Sequence, residues 1–326
     1  MDKSAHIVGI SYYLPDEVLS NDDISKEHPE WSIEKIALKT GIVERHIAGE
    51  NILASDLAFE AAELIFSEYN IDRGTIDFVL LCTQSPDYFL PTTACILQDR
   101  LGLSKTCGAL DFNLGCSGYI YGLALAKGLV VSGIANNVLL ITSETYSKYI
   151  QSEDKVNKTL FGDAAAATLI SSEQGNIEIG DIVYGTDGSG ASNLIVPNGA
   201  SKHISDGSVN DYLFMNGSEI FKFTAESVPQ IVENLLLKSG YTDEEIDLYI
   251  FHQANKYMLD FIRKKMKIDE ERFFYFLEKV GNTVSSTIPI ALKEAIGQSK
   301  VKKNSNVVLV GFGVGYSYGA CLLSIK

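Results

Sequence analysis

An α/β fold built from two pseudo-symmetric halves is predicted by three features of this 326-residue sequence: short apolar strands alternate with helices, one frame of residues recurs in the second half, and 46% hydrophobic residues suffice for a large core. The first half begins with the strand IVGISYYL, followed by a helix over 55–70, the strand DFVLLCTQ, a helix near 92–101, the strand GALDFN and a segment opening on GCSG. The run YIYGLALAKGLVVS after GCSG is apolar nearly all round, which predicts a buried helix. FGDAAAATLIS closes this half as a strand.

The second half repeats the pattern. A helix over 224–239 leads through GYTDEEIDLYIFHQANKYM, as helix 55–70 leads through NIDRGTIDFVLLCTQSPDY. Both share Ile-Asp, four apolar or aromatic residues, and then Cys82 or His252. Thr242 and Glu245 have capping-box spacing, predicting a helical turn before the strand. Further on, GCSGYIYGLALAKG and GNTVSSTIPIALKE each place a Gly and a small polar turn before an apolar helix, which makes Cys116 and Asn282 equivalent in this comparison. The strand YGACLLSI ends the chain, and SSEQGNIE, where the pattern breaks near 172–178, divides it into halves 1–175 and 176–326.

Composition narrows the function. A formal charge of -15 disfavours a nucleic-acid partner, which needs a basic face. No segment has the roughly 20 apolar residues of a membrane helix and the start lacks a signal-peptide pattern, so a cytoplasmic protein without membrane insertion is expected. Five cysteines without a CxxC pair argue against a disulfide framework and a zinc site.

Three residues stand out for chemistry. Cys116 lies at a Gly-flanked helix start, where unpaired N–H groups and the positive dipole end lower a thiol pKa. His252 ends a buried strand, where α/β proteins place catalytic groups. Asn282 opens a helix, a position at which Asn also serves as an ordinary N-cap. The glycines of GFGVG at 311–315 let backbone N–H groups approach a ligand, giving a candidate oxyanion hole with the N–H of Cys116. The compact basic run Arg263, Lys264, Lys265, Met266, Lys267 reads either as a solvated helix face or as a dock for an acidic partner.

Together, KTGIVERHI at 39–47, GCSG at 115–118, FGDAAAA at 161–167, HQAN at 252–255, GNT at 281–283 and GFGVGYSYG at 311–319 resemble the β-ketoacyl-acyl-carrier-protein synthase III group of the thiolase superfamily. The resemblance implies a thiolase-like five-layered αβαβα fold, a homodimer, and a Cys-His-Asn triad at Cys116, His252 and Asn282. It implies a ping-pong reaction in which acyl-Cys116 receives the carbanion formed when a malonyl-acyl carrier protein loses CO2, with no metal or cofactor beyond the thioester substrates. It implies that Val314 and Cys116 supply the oxyanion-hole N–H groups, and Leu90 and Phe161 match positions near the family's acyl pocket. Trp31, Lys222, Asn255, Lys256, Lys264 and Lys265 match positions that contact pantetheine, CoA or the carrier protein. Arginines that CoA-using members commonly carry after the Trp, near SEDKVNKTL and after HQAN are absent here. The alternative within the superfamily is an acyltransferase that moves the acyl group from Cys116 to an amine or alcohol without decarboxylation. A papain-like hydrolase shares the order Cys, His, Asn but lacks its C-G-S-C-W motif here.

Overall fold

In the computed structural model, which describes residues 4–173 and 175–326, ten strands join one mixed sheet. In chain order these are β1 (His6–Tyr13), β2 (Phe78–Cys82), β3 (Gly108–Phe112), β4 (Asn137–Glu144) and β5 (Ala164–Ser171), then β6 (Ile177–Thr186), β7 (Leu248–Phe251), β8 (Phe273–Phe274), β9 (Asn306–Gly313) and β10 (Ser317–Ile325). The spatial order is β8-β7-β9-β10-β6-β1-β5-β4-β2-β3. Read outward from the centre, each half runs first, fifth, fourth, second, third strand. Directions match as well: β2 is parallel to β3 and β4, as β7 is to β8 and β9, while the remaining pairs are antiparallel. A short antiparallel contact, Ile7 opposite Ile177 and His6 opposite Glu178, joins the halves.

Six helices cover this sheet: α1 (Ala54–Glu68), α2 (Thr93–Arg100), α3 (Gly118–Val131), α4 (Gly217–Ser239), α5 (Lys256–Lys265) and α6 (Thr287–Gly297). Helix α3 packs on β2 and β4 of its own half and on β6, β9 and β10 of the other, while α6 packs on β1, β5, β7 and β9. These two form the middle layer. On the outer faces, α1 lies on β1, β4 and β5, and α4 on β6, β9 and β10. The result is the five-layered thiolase-like arrangement. It explains why FVLLC and LYIF are unbroken apolar runs, since a parallel strand covered by helices on both faces has no solvent side.

Local chemistry sets the ends of these elements. Before β7 the Thr242 N–H donates to the Glu245 carboxylate at 2.8 Å, closing the expected helical turn at Asp243–Glu245. Helix α4 begins earlier than expected, at Gly217, with Asn216 accepting from the Glu219 N–H. Helix α3 is less enclosed than its apolar sequence implied: Leu125 is 43% and Val131 42% exposed. All five cysteines are free thiols.

Candidate active site

Cys116 sits between β3 and α3, buried at 5% exposure. Its sulfur is enclosed by the end of β9: a Cβ on Gly313 would come within 3.0 Å of Sγ and 2.8 Å of Cβ, and one on Gly311 within 2.8 Å of the Ser117 Cα. Only glycine fits at these two positions. Ser117 and Ser317 share a 2.6 Å hydroxyl hydrogen bond, and the Ser317 hydroxyl donates to the Val314 carbonyl at 2.8 Å, tying the turn after β9 to the start of α3. The N–H groups of Cys116 and Val314 both face the sulfur. They are the two N–H groups expected from the sequence to form an oxyanion hole, here directed at the sulfur itself.

The thiol departs from expectation. Burial, and then the charge of Glu144, push the Cys116 pKa up to about 12, outweighing the two N–H groups that favour the thiolate. Desolvation of a fully enclosed sulfur exceeds the stabilisation from a helix start, so the resting group is a neutral thiol.

His252 follows β7, and its N–H donates to the Val310 carbonyl of β9 at 2.8 Å. The ring is edge-on to Phe312 with centroids 5.5 Å apart. Nδ1 lies 2.7 Å from the Thr287 hydroxyl, the first residue of α6, so Nε2 is the ring nitrogen left for a ligand. Burial lowers the His252 pKa to about 3, which keeps the imidazole neutral at physiological pH.

Asn282 is held from both sides by backbone: its N–H donates to the Leu160 carbonyl at 2.8 Å, and the Gly162 N–H donates to its carbonyl at 3.0 Å. Its side-chain Oδ1 accepts from the Val284 N–H at 2.9 Å, which turns the Nδ2 donors towards other partners. Asn282 does not cap α6 directly, because a 3₁₀ turn at Val284–Ser286 intervenes and Ser286 holds the N-cap position. A chain of contacts joins the triad: Cys116 to Gly313, Phe312 to His252, His252 to Thr287, and Thr287 to Val284, whose N–H binds Asn282.

That 3₁₀ turn corrects the symmetry inferred from sequence. Aligned on their N-caps Ser117 and Ser286, α3 and α6 pair Gly118 with Thr287 and Cys116 with Ser285. Contacts follow this register. Gly118 lies against the Cys82 sulfur, where a Cβ would be 2.3 Å away, just as Thr287 bonds His252. Asn282 therefore sits three residues upstream of the true counterpart of Cys116, and the shared glycines misled the sequence comparison.

Several supporting residues were not singled out in the sequence. Glu144, at the end of β4, is fully buried and accepts from the Gln84 N–H (3.0 Å), the Ser85 hydroxyl (3.0 Å) and the Ser285 hydroxyl (2.8 Å). Burial raises its pKa to about 8. Arg45, within KTGIVERHI, is also fully buried; its guanidinium donates to the carbonyls of Leu19 and Thr159 and to the Asn21 side chain. Its Cβ lies where side chains on Gly162 and Gly281 would clash, so it shapes both strands of the Asn282 bridge. The signal for Arg45 was its place in a motif; Glu144 and Thr287 gave none beyond position.

The other expected contact residues fall into separate groups. Phe161 is 3% exposed and pairs by its backbone with Asn282, whereas Leu90 is 82% exposed, beside Tyr88 and Phe89, outside the apolar cluster that holds Cys116 and Phe161. Trp31 lies under two ammonium groups, Lys35 at 5.5 Å and Lys39 at 5.7 Å from the ring centroid. The helix that follows it, Ile33–Thr40, ends at Gly41 against the Lys256 side chain, which brings it beside α5. Asn255 spends its Oδ1 on capping α5 at the Met258 N–H. Lys256 pairs with Asp260 at 2.6 Å, Lys265 donates to the Ala225 carbonyl, and Lys222 and Lys264 are exposed. Among the described residues no group of three or more His, Cys, Asp or Glu side chains is placed to hold a metal ion.

Residues 110–188 match the family model for 3-oxoacyl-[acyl-carrier-protein] synthase III, and residues 236–325 match the model for its C-terminal part. A β-ketoacyl-[acyl-carrier-protein] synthase III of Clostridium perfringens is 38% identical over 99% of this chain and 100% of its own length, and one of Natranaerobius thermophilus is 36% identical over 98% and 99%. A crystal structure described as 3-oxoacyl-(acyl-carrier-protein) synthase III superposes with a TM-score of 0.95 at 48% identity, covering 99% of this chain and 100% of the other. The synthase III from Thermus thermophilus gives 0.90 at 34%, covering 98% and 99%. With its full length matched in sequence and in fold, the chain belongs to the 3-oxoacyl-[acyl-carrier-protein] synthase III family.

Proposed function

We propose that the chain condenses an acyl thioester with a malonyl group carried by an acyl carrier protein, through an acyl-enzyme on Cys116. The observation that carries this reading is one buried sulfur packed against Gly313 at the end of β9, whose Phe312 packs edge-on against the neutral imidazole of His252.

In the first half-reaction the Cys116 sulfur bonds to the acyl carbonyl carbon, and the developing oxyanion accepts hydrogen bonds from the N–H groups of Cys116 and Val314. Collapse breaks the old carbon–sulfur bond. The departing thiolate leaves with the proton that Cys116 gives up, so the neutral resting thiol sets a proton-transfer demand on acylation.

In the second half-reaction the malonyl carboxylate leaves as CO2, and its bonding electron pair becomes an enolate. Nε2–H of His252 and Nδ2–H of Asn282 hold the enolate oxygen, in the tautomer in which the Thr287 hydroxyl turns from the Val284 carbonyl to donate to Nδ1. The enolate carbon then attacks the acyl carbonyl, the carbon–sulfur bond to Cys116 breaks, and the released thiolate takes up one proton. No step calls on a bound cofactor.

The docking surface in this reading is the face where α5 meets the helix Ile33–Thr40. Lys222, Lys256, Lys264 and Lys265, with Lys35 and Lys39 around Trp31, offer cations to phosphopantetheine and to an acidic carrier protein on a chain otherwise rich in acidic residues. A homodimer is part of the same reading. The edge strand β3 has an unpaired side, Leu110 on it is 45% exposed, and Phe89 and Leu90 form an apolar tip whose natural cover is a second copy. Leu90 then serves an acyl pocket only across such an interface. Among the described residues no helix is long and apolar enough to cross a membrane, and a cytoplasmic location suits the carrier-protein substrate.

Intact-mass measurement after incubation with acyl-CoA or acyl-carrier protein tests the scheme: an acyl adduct on the wild type that is lost in Cys116→Ala is expected. Adding malonyl-carrier protein should then release CO2 and 3-oxoacyl product. An adduct that forms without later decarboxylation would favour simple acyl transfer to an amine or alcohol, and no adduct at all would sink the covalent route.

A further inference from the structure

The surface around Trp31 and α5 holds its lysines in two different states. On α4 and α5, Lys222 and Lys264 are exposed and, among the described residues, have no carboxylate in ion-pair range. Beside Trp31, both lysines of the short helix Lys155–Lys158 are taken by glutamates from the segment leading to the indole. Lys155 donates to Glu30, and Lys158 donates to Glu27 at 2.6 Å and to the Ser152 carbonyl at 3.1 Å. The hydrogen bond from Lys155 holds the Glu30 carboxyl below its usual range, so this pair is fully ionised at neutral pH.

These ion pairs stand on the frame of the site. The buried Arg45 guanidinium donates to the Asn21 side chain, where the segment carrying Glu27, Glu30 and Trp31 begins, and to the Thr159 carbonyl, the residue after Lys158. Two residues further on, Phe161 bridges by its backbone to Asn282. One guanidinium thus sets the glutamates opposite the lysines, next to the chain that leads to Asn282.

CoA and a carrier protein offer the same pantetheine arm and first phosphate. CoA adds a second phosphate, an adenine and a ribose 3′-phosphate. Trp31 is the only Trp of the chain and is partly exposed, a platform on which a purine stacks. Its ring already carries the Lys35 and Lys39 ammonium groups at 5.5 and 5.7 Å, and Lys35 is fixed by a 3.2 Å hydrogen bond to the Glu30 carbonyl. A nucleotide on this indole meets Glu27 and Glu30 as fixed negative charges, and its 3′-phosphate gains Lys155 or Lys158 only by breaking an existing ion pair. An acidic carrier protein instead brings its charge to Lys222 and Lys264, which have no such partner to lose. We propose that Glu27 and Glu30 select the donor: by occupying Lys158 and Lys155 they deny the CoA 3′-phosphate a binding site, so that Cys116 is loaded from acyl-carrier protein in preference to acyl-CoA. This rests on the acyl-enzyme reading above.

The test is the rate of Cys116 loading, followed by intact mass, from acetyl-carrier protein, acetyl-CoA, acetyl-(3′-dephospho)-CoA and acetyl-pantetheine, in the wild type and in the double variant Glu27→Gln, Glu30→Gln. The wild type should load from acetyl-carrier protein faster than from acetyl-CoA at equal concentration, by about tenfold or more, and removing the 3′-phosphate should not slow it. Both glutamates are exposed, so the double variant should fold. It should gain about three- to tenfold with acetyl-CoA and nothing with acetyl-pantetheine, which carries no phosphate. The proposal is overturned if the wild type loads more slowly from the dephospho compound than from acetyl-CoA, or as fast from acetyl-CoA as from the carrier protein. An unchanged acetyl-CoA rate in the double variant overturns it as well, as does an equal gain with acetyl-pantetheine, which would not be an effect of charge. Loading from none of the four thioesters would instead strike at the acyl-enzyme reading, which separates the two failures.

Discussion

The two halves of the molecule are most alike where they do no chemistry and least alike where they do. At the start of the fourth strand of each half, one bond pattern is copied. The Asp77 carboxylate accepts from the N–H groups of Asn136 and Asn137 at 2.7 and 3.1 Å, and the Asp247 carboxylate accepts from the Asn306 N–H at 2.8 Å. The Asn137 and Asn306 side chains then donate to the carbonyls of Thr75 and Glu245, both at 3.1 Å. At the opposite end the copies diverge. Cys82 stands where His252 does, Gly118 where Thr287 does, and Glu144 where Gly313 does, seven residues along the strand from Asn137 and Asn306. Each strand end reaches across to the other half: Gly313 leaves room for the Cys116 sulfur, while Glu144 fills its corresponding space with a carboxyl group bonded to Ser285. One duplicated frame thus holds the Cys116 sulfur under one strand end and a hydrogen-bonded plug under the other.

On the proposed reading Cys116 of the first half carries the acyl group while His252 and Asn282 of the second serve condensation, and the largest expected effect breaks one step without the other. His252→Ala or Asn282→Ala removes a donor to the enolate and should slow condensation by about 100- to 1000-fold, with acyl-adduct formation on Cys116 retained. Single-turnover measurement of adduct formation and of 3-oxoacyl release separates the steps. Equal loss of both steps in Asn282→Ala would show that the halves do not divide the work in this way.

A smaller effect is expected at the strand end itself. In Gly313→Ala the new Cβ would meet the Cys116 Cβ at 2.8 Å, so the sulfur must move away from the Val314 N–H. Acylation should fall on the order of 100-fold from that misplacement, and stability by about 1–3 kcal/mol from overpacking. Thermal unfolding and adduct kinetics together check this, because a stability loss with normal acylation would mean that the turn can yield without disturbing the oxyanion pair.

Much of this organisation was legible in the sequence, but unevenly. Strands such as LYIF were readable because continuous burial leaves a continuous apolar run, and the Ile-Asp frame was readable because both copies need the same carboxylate beside the same strand. The triad residues were found by their neighbours Gly115, Gly281 and the end of LYIF. Their exact equivalence was not. Three extra residues before α6 form a 3₁₀ turn in which Val284 takes φ 55°, and no residue type in GNTVSST advertises that conformation. The thiol's ionisation was also beyond reach, since a helix start is a local feature whereas desolvation depends on β9, Glu144 and α3 closing round one atom. Glu144 illustrates the same limit. A single Glu in ITSETYS reads as an exposed loop residue until the fold buries it.

The buried plug predicts a pH effect of definite sign. Glu144 has its pKa raised to about 8 from an ordinary carboxyl value near 4.5, so between these values the folded protein holds a proton that the unfolded chain has lost. Its contribution to stability is therefore fully present below about 4.5 and declines as pH rises towards about 8. Glu144→Gln keeps the shape without the charge. Relative to the wild type its melting temperature should rise progressively between pH 5 and about 8 and level off above, and a pH-independent difference would contradict the burial argument.

The smallest effect tests the conserved end of the comparison. Asp77 is half-buried and receives two backbone N–H groups, whereas Asp247 is exposed and receives one, although both occupy the same place in the repeat. If these carboxylates act only as braces, their value should follow burial and bond number rather than position. Asp77→Ala should cost about 1–2 kcal/mol, because two donors lose their partner in a partly screened site, and Asp247→Ala about 0.5–1 kcal/mol, because water replaces the lost bond. Neither should alter the ratio of acylation to condensation, since both sit at the far end of the strands from Cys116 and His252. Chemical denaturation of the two variants gives the stability terms, and a larger loss at Asp247 than at Asp77 would mean that the second half depends on its brace for a reason other than the hydrogen bonds seen at each site.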